Sequence, residues 1–215
     1  MTDLSVVLIS RNQEWNIARL LESVLEEVAE ISSEVVLVDS ASTDRTLEIA
    51  RNYPIDIIRL DENQRLTAHK GQYVGYQHTS GDLILFLDGD MELCKGWLGK
   101  GLDVIKKDND VAAVSGPWIN LPLVLPQTPG SSQLPRDVSD RLALYQESDI
   151  NWSHTPDKTQ AVLMLGGAGL YRRKVLEQIG GPFNPEFFSD AEPELCIRIR
   201  HAGYQILRIE YPIAY

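Results

Sequence analysis

The sequence predicts an α/β protein built on a mainly parallel sheet with helices on both faces. Three observations carry that expectation. Apolar runs of strand length alternate with helix-length segments through the first half of the chain. The runs are apolar throughout, as strands buried on both faces are. Ser10-Arg11, Asp39 and Asp88 all stand where such runs stop, at strand carboxyl ends, the edge at which open α/β sheets bind ligands.

The first run, Leu4 to Ile9, is β-branched and leads into a helical stretch from Asn12 to Val28, with Ile17, Leu20, Leu21, Val24, Leu25 and Val28 on one stripe. Val35-Val36-Leu37-Val38 is the second strand. Thr43 to Asn52 is a short helix, with Ser42 or Thr43 as its cap and Asp44 in its first turn. Ile55 to Leu60 is the third strand, Ala68 to His78 a helix, and Leu83 to Leu87 the fourth strand. Asp108-Asn109-Asp110 is a polar link from a helix to the strand-like Val111-Ala112-Ala113-Val114.

The second half is less regular. Gly116 to Arg136 holds five prolines and is too long and broken for an ordinary connection. A helix is expected near Asp140 to Glu147, a strand at Val162 to Leu165, and a helix from Arg173 to Ile179 closed by Gly180-Gly181-Pro182. A last helix spans about Ala191 to Ala202, and a last strand Gln205 to Ile209. A length of 215 residues suits one domain. The chain stops just after a strand-like run, as a fragment of a longer protein would.

Composition narrows the function classes. A net charge of −11 and a pI near 4.8 argue against nucleic-acid binding and against electrostatic attraction to an anionic membrane. Docking to a membrane that holds a substrate stays open. Two cysteines, Cys94 and Cys196, make no disulfide framework, and no apolar run is long enough to span a bilayer or serve as a leader. The expectation is a reduced, cytoplasmic protein.

Asp88-Gly89-Asp90 closes the fourth strand. Two carboxylates one residue apart offer hard oxygen ligands to Mg²⁺ or Mn²⁺, with phosphate oxygens completing the shell, so the site suits a diphosphate-bearing substrate. Asp108-Asn109-Asp110 has the same spacing but no strand before it, and reads as a turn. Asp39 is placed to accept hydrogen bonds from a base N–H or a ribose hydroxyl. Glu192 admits two readings. With Ser189 it forms a capping box, beside an i,i+4 pair of Glu194 and Arg198; it is also a carboxylate able to serve as a general base. His69, His78, His154 and His201 show no metal spacing and suit surface or core roles. Trp97 suits packing, while Trp118 and Trp152 either stack on a sugar or anchor loops. Gly166-Gly167-Ala168-Gly169 lacks the Lys-Ser/Thr of a phosphate loop.

Taken in order, these motifs resemble the family 2 glycosyltransferases, inverting enzymes with the Rossmann-like GT-A fold and its mixed, mainly parallel sheet. Ile9-Ser10-Arg11-Asn12-Gln13-Glu14 resembles the opening strand-to-helix motif, and Asp39 to Thr46 the motif whose leading aspartate contacts the base. Gly81 to Asp90 is similar to the metal-binding motif. Gly166 to Tyr171 resembles the acceptor-side glycine motif, and Ala191 to Arg198 the catalytic-base motif. The resemblance covers nearly the whole chain. It implies a nucleotide-sugar half at 1–115 and an acceptor half at 116–215. A UDP-sugar donor, a saccharide or lipid-linked acceptor, and a site at the inner face of the membrane are also implied. Ser10, Arg11, Asp39 and Asp88 would hold the donor, Asp90 and Asp88 the cation, and Glu192 would be the base. Two departures stand out. Ala191-Glu192 replaces the usual Glu-Asp, and Gln72-Tyr73-Val74-Gly75 replaces Arg-Asn-x-Gly, leaving Arg65 or Lys70 to meet the donor phosphates. These departures keep open a nucleotide-sugar-binding module without catalysis. A nucleotidyltransferase fits less well, since Arg11 to Asn16 has no glycine or lysine.

Overall fold

The computed structural model describes residues 2–118, 159–161, 165, 168–184 and 191–214. The expected helix near Asp140 to Glu147, Trp152, His154, Ser189, Gly166-Gly167 and most of the proline-rich segment lie outside the described residues. In chain order the elements are β1 Leu4–Ser10, α1 Ile17–Val28, β2 Ser33–Asp39, α2 Thr46–Ala50, β3 Asp56–Arg59, α3 Ala68–Gln77 and β4 Leu83–Asp88. There follow α4 Trp97–Lys107, β5 Val111–Ser115, β6 Thr159–Ala161, β7 Gly169–Arg172, α5 Arg173–Gln178, α6 Ala191–His201 and β8 Gln205–Ile209.

The strands form one sheet in the order β3-β2-β1-β4-β7-β5-β8-β6. β1 to β4 run parallel. β7 lies antiparallel between β4 and β5, β8 is parallel to β5, and β6 is antiparallel to β8. The mixed, mainly parallel sheet expected from the sequence is therefore what forms.

Apolar runs build this sheet because both of its faces are covered. All seven residues of β1 are buried. Leu4, Val6 and Leu8 pack with Leu37 and Leu85 against α1 and α4 on one side. Val7, Ile84 and Phe86 meet α5 and α6 on the other, and Ile9, Val36 and Val38 meet Val74 of α3. Trp97 is fully buried, in the packing role expected of it. Gly71 and Gly75, one helical turn apart, let α3 lie close on the sheet: a Cβ at Gly75 would stand 2.3 Å from Val7 Cγ1, and one at Gly71 2.9 Å from Ile9 Cγ2.

Some boundaries differ from the sequence reading. α1 begins at Ile17 rather than Asn12, because residues 12–16 form a turn that opens with Asn12 at φ 55°. The N–H groups of Asn12, Gln13 and Glu14 donate instead to Ser42 Oγ (2.9 Å), Thr46 Oγ1 (2.7 Å) and Asp44 Oδ2 (3.0 Å). Neither Ser42 nor Thr43 caps α2, whose N-cap is Arg45 without a side-chain bond; Asp44 accepts from Thr46 N at 2.9 Å, as an acid at a helix start should. Of the strand expected at Val162 to Leu165, residues 162–164 lie outside the described residues and Leu165 is buried; a strand forms at Thr159–Ala161. Asp108 accepts from Asp110 N at 2.8 Å, the turn that its context implied.

One polar knot joins three segments. Glu34 accepts from Ser80 N (2.6 Å), Ser5 Oγ (2.8 Å), Gly81 N (3.1 Å) and Ser80 Oγ (3.3 Å), tying β2 and β1 to the turn before β4. Burial, the largest influence, pushes its carboxyl up, but the four hydrogen bonds together hold it below the ordinary glutamate value. A depressed acid stabilises the fold above its unfolded value and stops doing so as pH falls through the folded one. Glu34→Gln should therefore lower urea stability at pH 7, with the gap to wild type closing below about pH 4. Gly75→Ala should lose about 1–3 kcal/mol in the same measurement through overpacking against Val7, outweighing its better helix propensity.

Candidate active site

The register of the central strands sets the site. Ser10 pairs with Asp39 across β1 and β2, and Ile9 with Asp88 across β1 and β4. Three adjacent parallel strands thus end within one residue of one another, with Ser10 level with Asp39 and Asp88 one position back. Ser10, Arg11, Ser40, Thr67, Asp88 and Asp90 line an open cleft of about 220 Å³ at that edge.

Asp39 is fully buried at the back of the edge. Its Oδ1 accepts from Ser42 N at 2.9 Å, and its Oδ2 from Ser42 Oγ and, at 3.4 Å, from Ser10 Oγ. Ser40 N donates to Ser10 O at 2.8 Å, and Ala41 takes the left-handed conformation at φ 57°. Asn12 Oδ1 accepts from Thr43 N at 2.9 Å. These bonds lace the loop after β1 to the loop after β2, which fixes both beside the cleft.

The metal-type motif is held with comparable care. Asn16 Nδ2 donates to Gly89 O (3.1 Å) and Met91 O (2.9 Å), so the start of α1 fixes the turn that carries both acids. A Cβ on Gly89 would stand 2.8 Å from Ile9 O and 3.0 Å from Ser10 Cβ, which explains a glycine between the two aspartates. Asp90 is exposed. Asp88 Oδ1 is buried without a hydrogen-bond partner. Burial first, then the charges of Asp90 and Glu192, push the Asp88 carboxyl up to about 7. An orphaned carboxylate oxygen beside a second acid is the donor set a hard divalent cation takes, so Asp88 and Asp90 fit Mn²⁺ or Mg²⁺. Among the described residues no group of three or more His, Cys, Asp or Glu forms a protein-only cage. Further ligands would come from phosphate oxygens and water, as is usual for Mg²⁺.

Glu192 lies in the first turn of α6, and its charge is felt at Asp88. The acids from β4 and α6 are therefore neighbours, although about a hundred residues separate them in sequence. Its Oε2 is 3.8 Å from Nε2 of His69 at the start of α3. The Glu194–Arg198 pair forms at 2.6 Å as expected, and Arg198 also donates to the carbonyl oxygens of Ile179 and Gly181 (3.0 and 2.7 Å). Of the two candidate phosphate contacts, Lys70 Nζ donates to Gln64 Oε1 at 2.7 Å. Arg65 directly precedes Leu66 and Thr67, which line the cleft. Trp118 is exposed and bridges in backbone to Ala214.

Sequence reasoning missed three residues of this neighbourhood: Asn16, His69 and Gln72. Asn16 was read as helix interior, and only the true start of α1 reveals its role. His69 and Gln72 carry no spacing signal, because their partners are one another and Glu192.

A family model described as glycosyl transferase family 2 matches residues 5–180. Glycosyltransferase AglE of Haloferax volcanii is 31% identical over 106 residues, 47% of this chain and 35% of that protein. Dolichol-phosphate mannosyltransferase of Pyrococcus furiosus is 27% identical over 113 residues, 51% of this chain and 32% of that protein. The chain spans about a third of the length of these curated relatives. Among solved structures, S. aureus TarS 1-349 in complex with UDP-GlcNAc has a TM-score of 0.70 at 20% identity, covering 100% of this chain and 58% of that one. The mannosyltransferase PcManGT from Pyrobaculum calidifontis, in complex with GDP-Man and Mn²⁺, has a TM-score of 0.65 at 22% identity, covering 97% of this chain and 54% of that one. These likenesses show the fold, the GT-A arrangement expected from the motifs.

The raised Asp88 carboxyl sets a pH signature. Between about pH 4 and 7 the folded chain keeps a proton that the unfolded chain has lost, so this group erodes stability as pH rises through that window. Relative to Asp88→Asn, wild type without metal should lose thermal stability from pH 5 to pH 8. Mn²⁺ should restore it, with a gain larger at pH 8 than at pH 5.5 and absent in Asp88→Asn. Melting scans with and without Mn²⁺ check both, and a gain equal at the two pH values would contradict the account.

Proposed function

The chain belongs to glycosyl transferase family 2, and we propose that it moves a sugar from a nucleoside diphosphate donor to a hydroxyl acceptor with inversion at the anomeric carbon. The observation that carries this reading is the meeting of Ser10, Asp39, Asp88 and Asp90 at one sheet edge with Glu192 close enough to perturb Asp88.

Asp39 and Ser10 hold the nucleoside, with Arg11 at the mouth of the cleft. The base and ribose lie where the β1 and β2 loops are laced together, so that end of the donor meets a fixed surface. Asp90 and Asp88 would hold the cation, which would supply Lewis-acid charge stabilisation to the departing diphosphate. Glu192 takes the proton of the acceptor hydroxyl as its oxygen attacks the anomeric carbon. The new oxygen–carbon bond forms on the face opposite the breaking bond to the diphosphate, which leaves with the bonding electrons. Inversion follows from that geometry.

Residues 1–115 form the donor half in this reading and 116–215 the acceptor half. TarS and PcManGT bind UDP-GlcNAc and GDP-Man respectively, so a UDP-sugar is the first donor to try and a GDP-sugar the second. A saccharide or lipid-linked acceptor fits the same family. No helix among the described residues is long and apolar enough to cross a membrane; we place the reaction in the cytoplasm, at the membrane face where a lipid-linked acceptor would stand.

Glu192→Gln should cut transfer by about 10²–10⁴-fold while UDP binding survives. Asp90→Asn should lose the Mn²⁺-dependent part of UDP binding as well as turnover. Calorimetry with UDP and Mn²⁺, beside nucleotide release from a panel of UDP- and GDP-sugars, measures both. Wild-type turnover in Glu192→Gln would remove it as the base, and tight nucleotide binding with no turnover of any donor would favour a binding module without catalysis.

A further inference from the structure

His69 is the second residue of α3 and is buried. Its ring is fixed on two sides. Nδ1 lies 3.1 Å from Oε1 of Gln72, itself buried. The ring stacks on Phe183 with centroids 5.4 Å apart and planes 24° apart, and Phe183 is held edge-on by Phe86 of β4 at 5.3 Å. The Gln72 carbonyl oxygen takes the Nδ1 proton, so the free end of the ring is Nε2, which donates to a carboxylate when the ring carries its second proton as the imidazolium. Nε2 stands 3.8 Å from Glu192 Oε2.

A glutamate has one more rotor than an aspartate, and each extra rotor is freedom that a base must lose to stay within reach of its proton. Glu192 is about a quarter exposed, while His69 is almost wholly enclosed. The rigid partner is therefore the histidine, and the carboxylate is what it can hold. A separation of 3.8 Å exceeds a hydrogen bond, but contacts around a catalytic base often tighten only when substrate is bound.

We propose that His69 is the positioning residue for Glu192: Gln72 and Phe183 fix its ring, Nε2–H of the imidazolium donates to one carboxylate oxygen, and the other is left to face the acceptor hydroxyl. The inference rests on Glu192 being the base. It also gives Gln72 a role where the family carries an arginine, since its side chain is spent on His69 and not on a donor phosphate.

The test uses the full chain with Mn²⁺ and a panel of UDP- and GDP-sugars, scoring nucleotide release and, by calorimetry, UDP binding. His69→Phe keeps the stack on Phe183 and removes Nε2. It should lower kcat by about tenfold to a hundredfold, with donor KM and UDP affinity changed less than about twofold. Combined with Glu192→Asp, whose shorter side chain no longer reaches the ring, it should add less than about a threefold further loss, the non-additivity of a coupled pair. Should His69→Phe fail to fold, Gln72→Met frees the same ring and should show the same fall in kcat alone. Wild-type turnover in His69→Phe with Glu192→Gln inactive overturns the positioning role and leaves the base in place. A loss of UDP affinity matching the loss of turnover also overturns it, since that is what a structural role gives. Full turnover in Glu192→Gln, or a wild-type chain inert towards the whole panel, overturns the proposed function and this inference together.

Discussion

The structure depends on the common ending of three adjacent parallel strands. With Ser10 level with Asp39 and Ile9 level with Asp88, β2, β1 and β4 deliver their last residues to one line. Side chains alternate between faces, so Ser10 and Asp39 leave on one face and Asp88, one position back in register, on the other, all at the carboxyl edge of the sheet. Everything else in the site is fitted around that line. The loops after β1 and β2 bond to one another, Asn16 clamps the turn after β4, and α3 is drawn down by two glycines until its first turn overlooks the cleft. α6 then brings Glu192 in from the far end of the chain.

The energetics of this edge are unfavourable taken alone. Asp88 loses water on burial, faces Asp90 and Glu192, and has one oxygen without a hydrogen-bond donor. A protein whose only task was to fold would replace such a group, because an unpaired buried carboxylate destabilises. Persistence of this strain at a cleft is the pattern of a functional site. The same argument separates Asp88-Gly89-Asp90 from Asp108-Asn109-Asp110, whose acids are exposed and closed on their own turn. Glu34 is a useful contrast: it too is partly desolvated, but four donors meet it, and its carboxyl moves down instead of up.

The first half of the fold was legible because β1, β2 and β4 carry continuous apolar runs, as burial on both faces allows, whereas the edge strand β3 is short, with Asp56 and Arg59 exposed. Strand ends were legible for the same reason: Asp39 and Asp88 interrupt runs that could not otherwise stop. Boundaries such as the start of α1 were not, because residues 12–16 bond to Ser42, Asp44 and Thr46, partners roughly thirty positions away. The antiparallel insertion of β7 between β4 and β5 leaves no local mark either, since it follows from how the chain returns to the sheet. Within the site the acids could be named from the sequence but their supports could not. Gly89 needs the Ile9 carbonyl beside it to be understood, and His69 needs Gln72, Phe183 and Glu192.

The central claim is that one cleft holds a nucleoside beside Asp39 and a cation between Asp88 and Asp90. A crystal structure of the chain soaked with UDP and Mn²⁺, with anomalous scattering locating the metal, tests it most directly. The account predicts a manganese peak in contact with the Asp88 and Asp90 carboxylates and the β-phosphate, with the uracil beside the Asp39 loop. Manganese or nucleotide ordered on another face, with this edge empty, would contradict it.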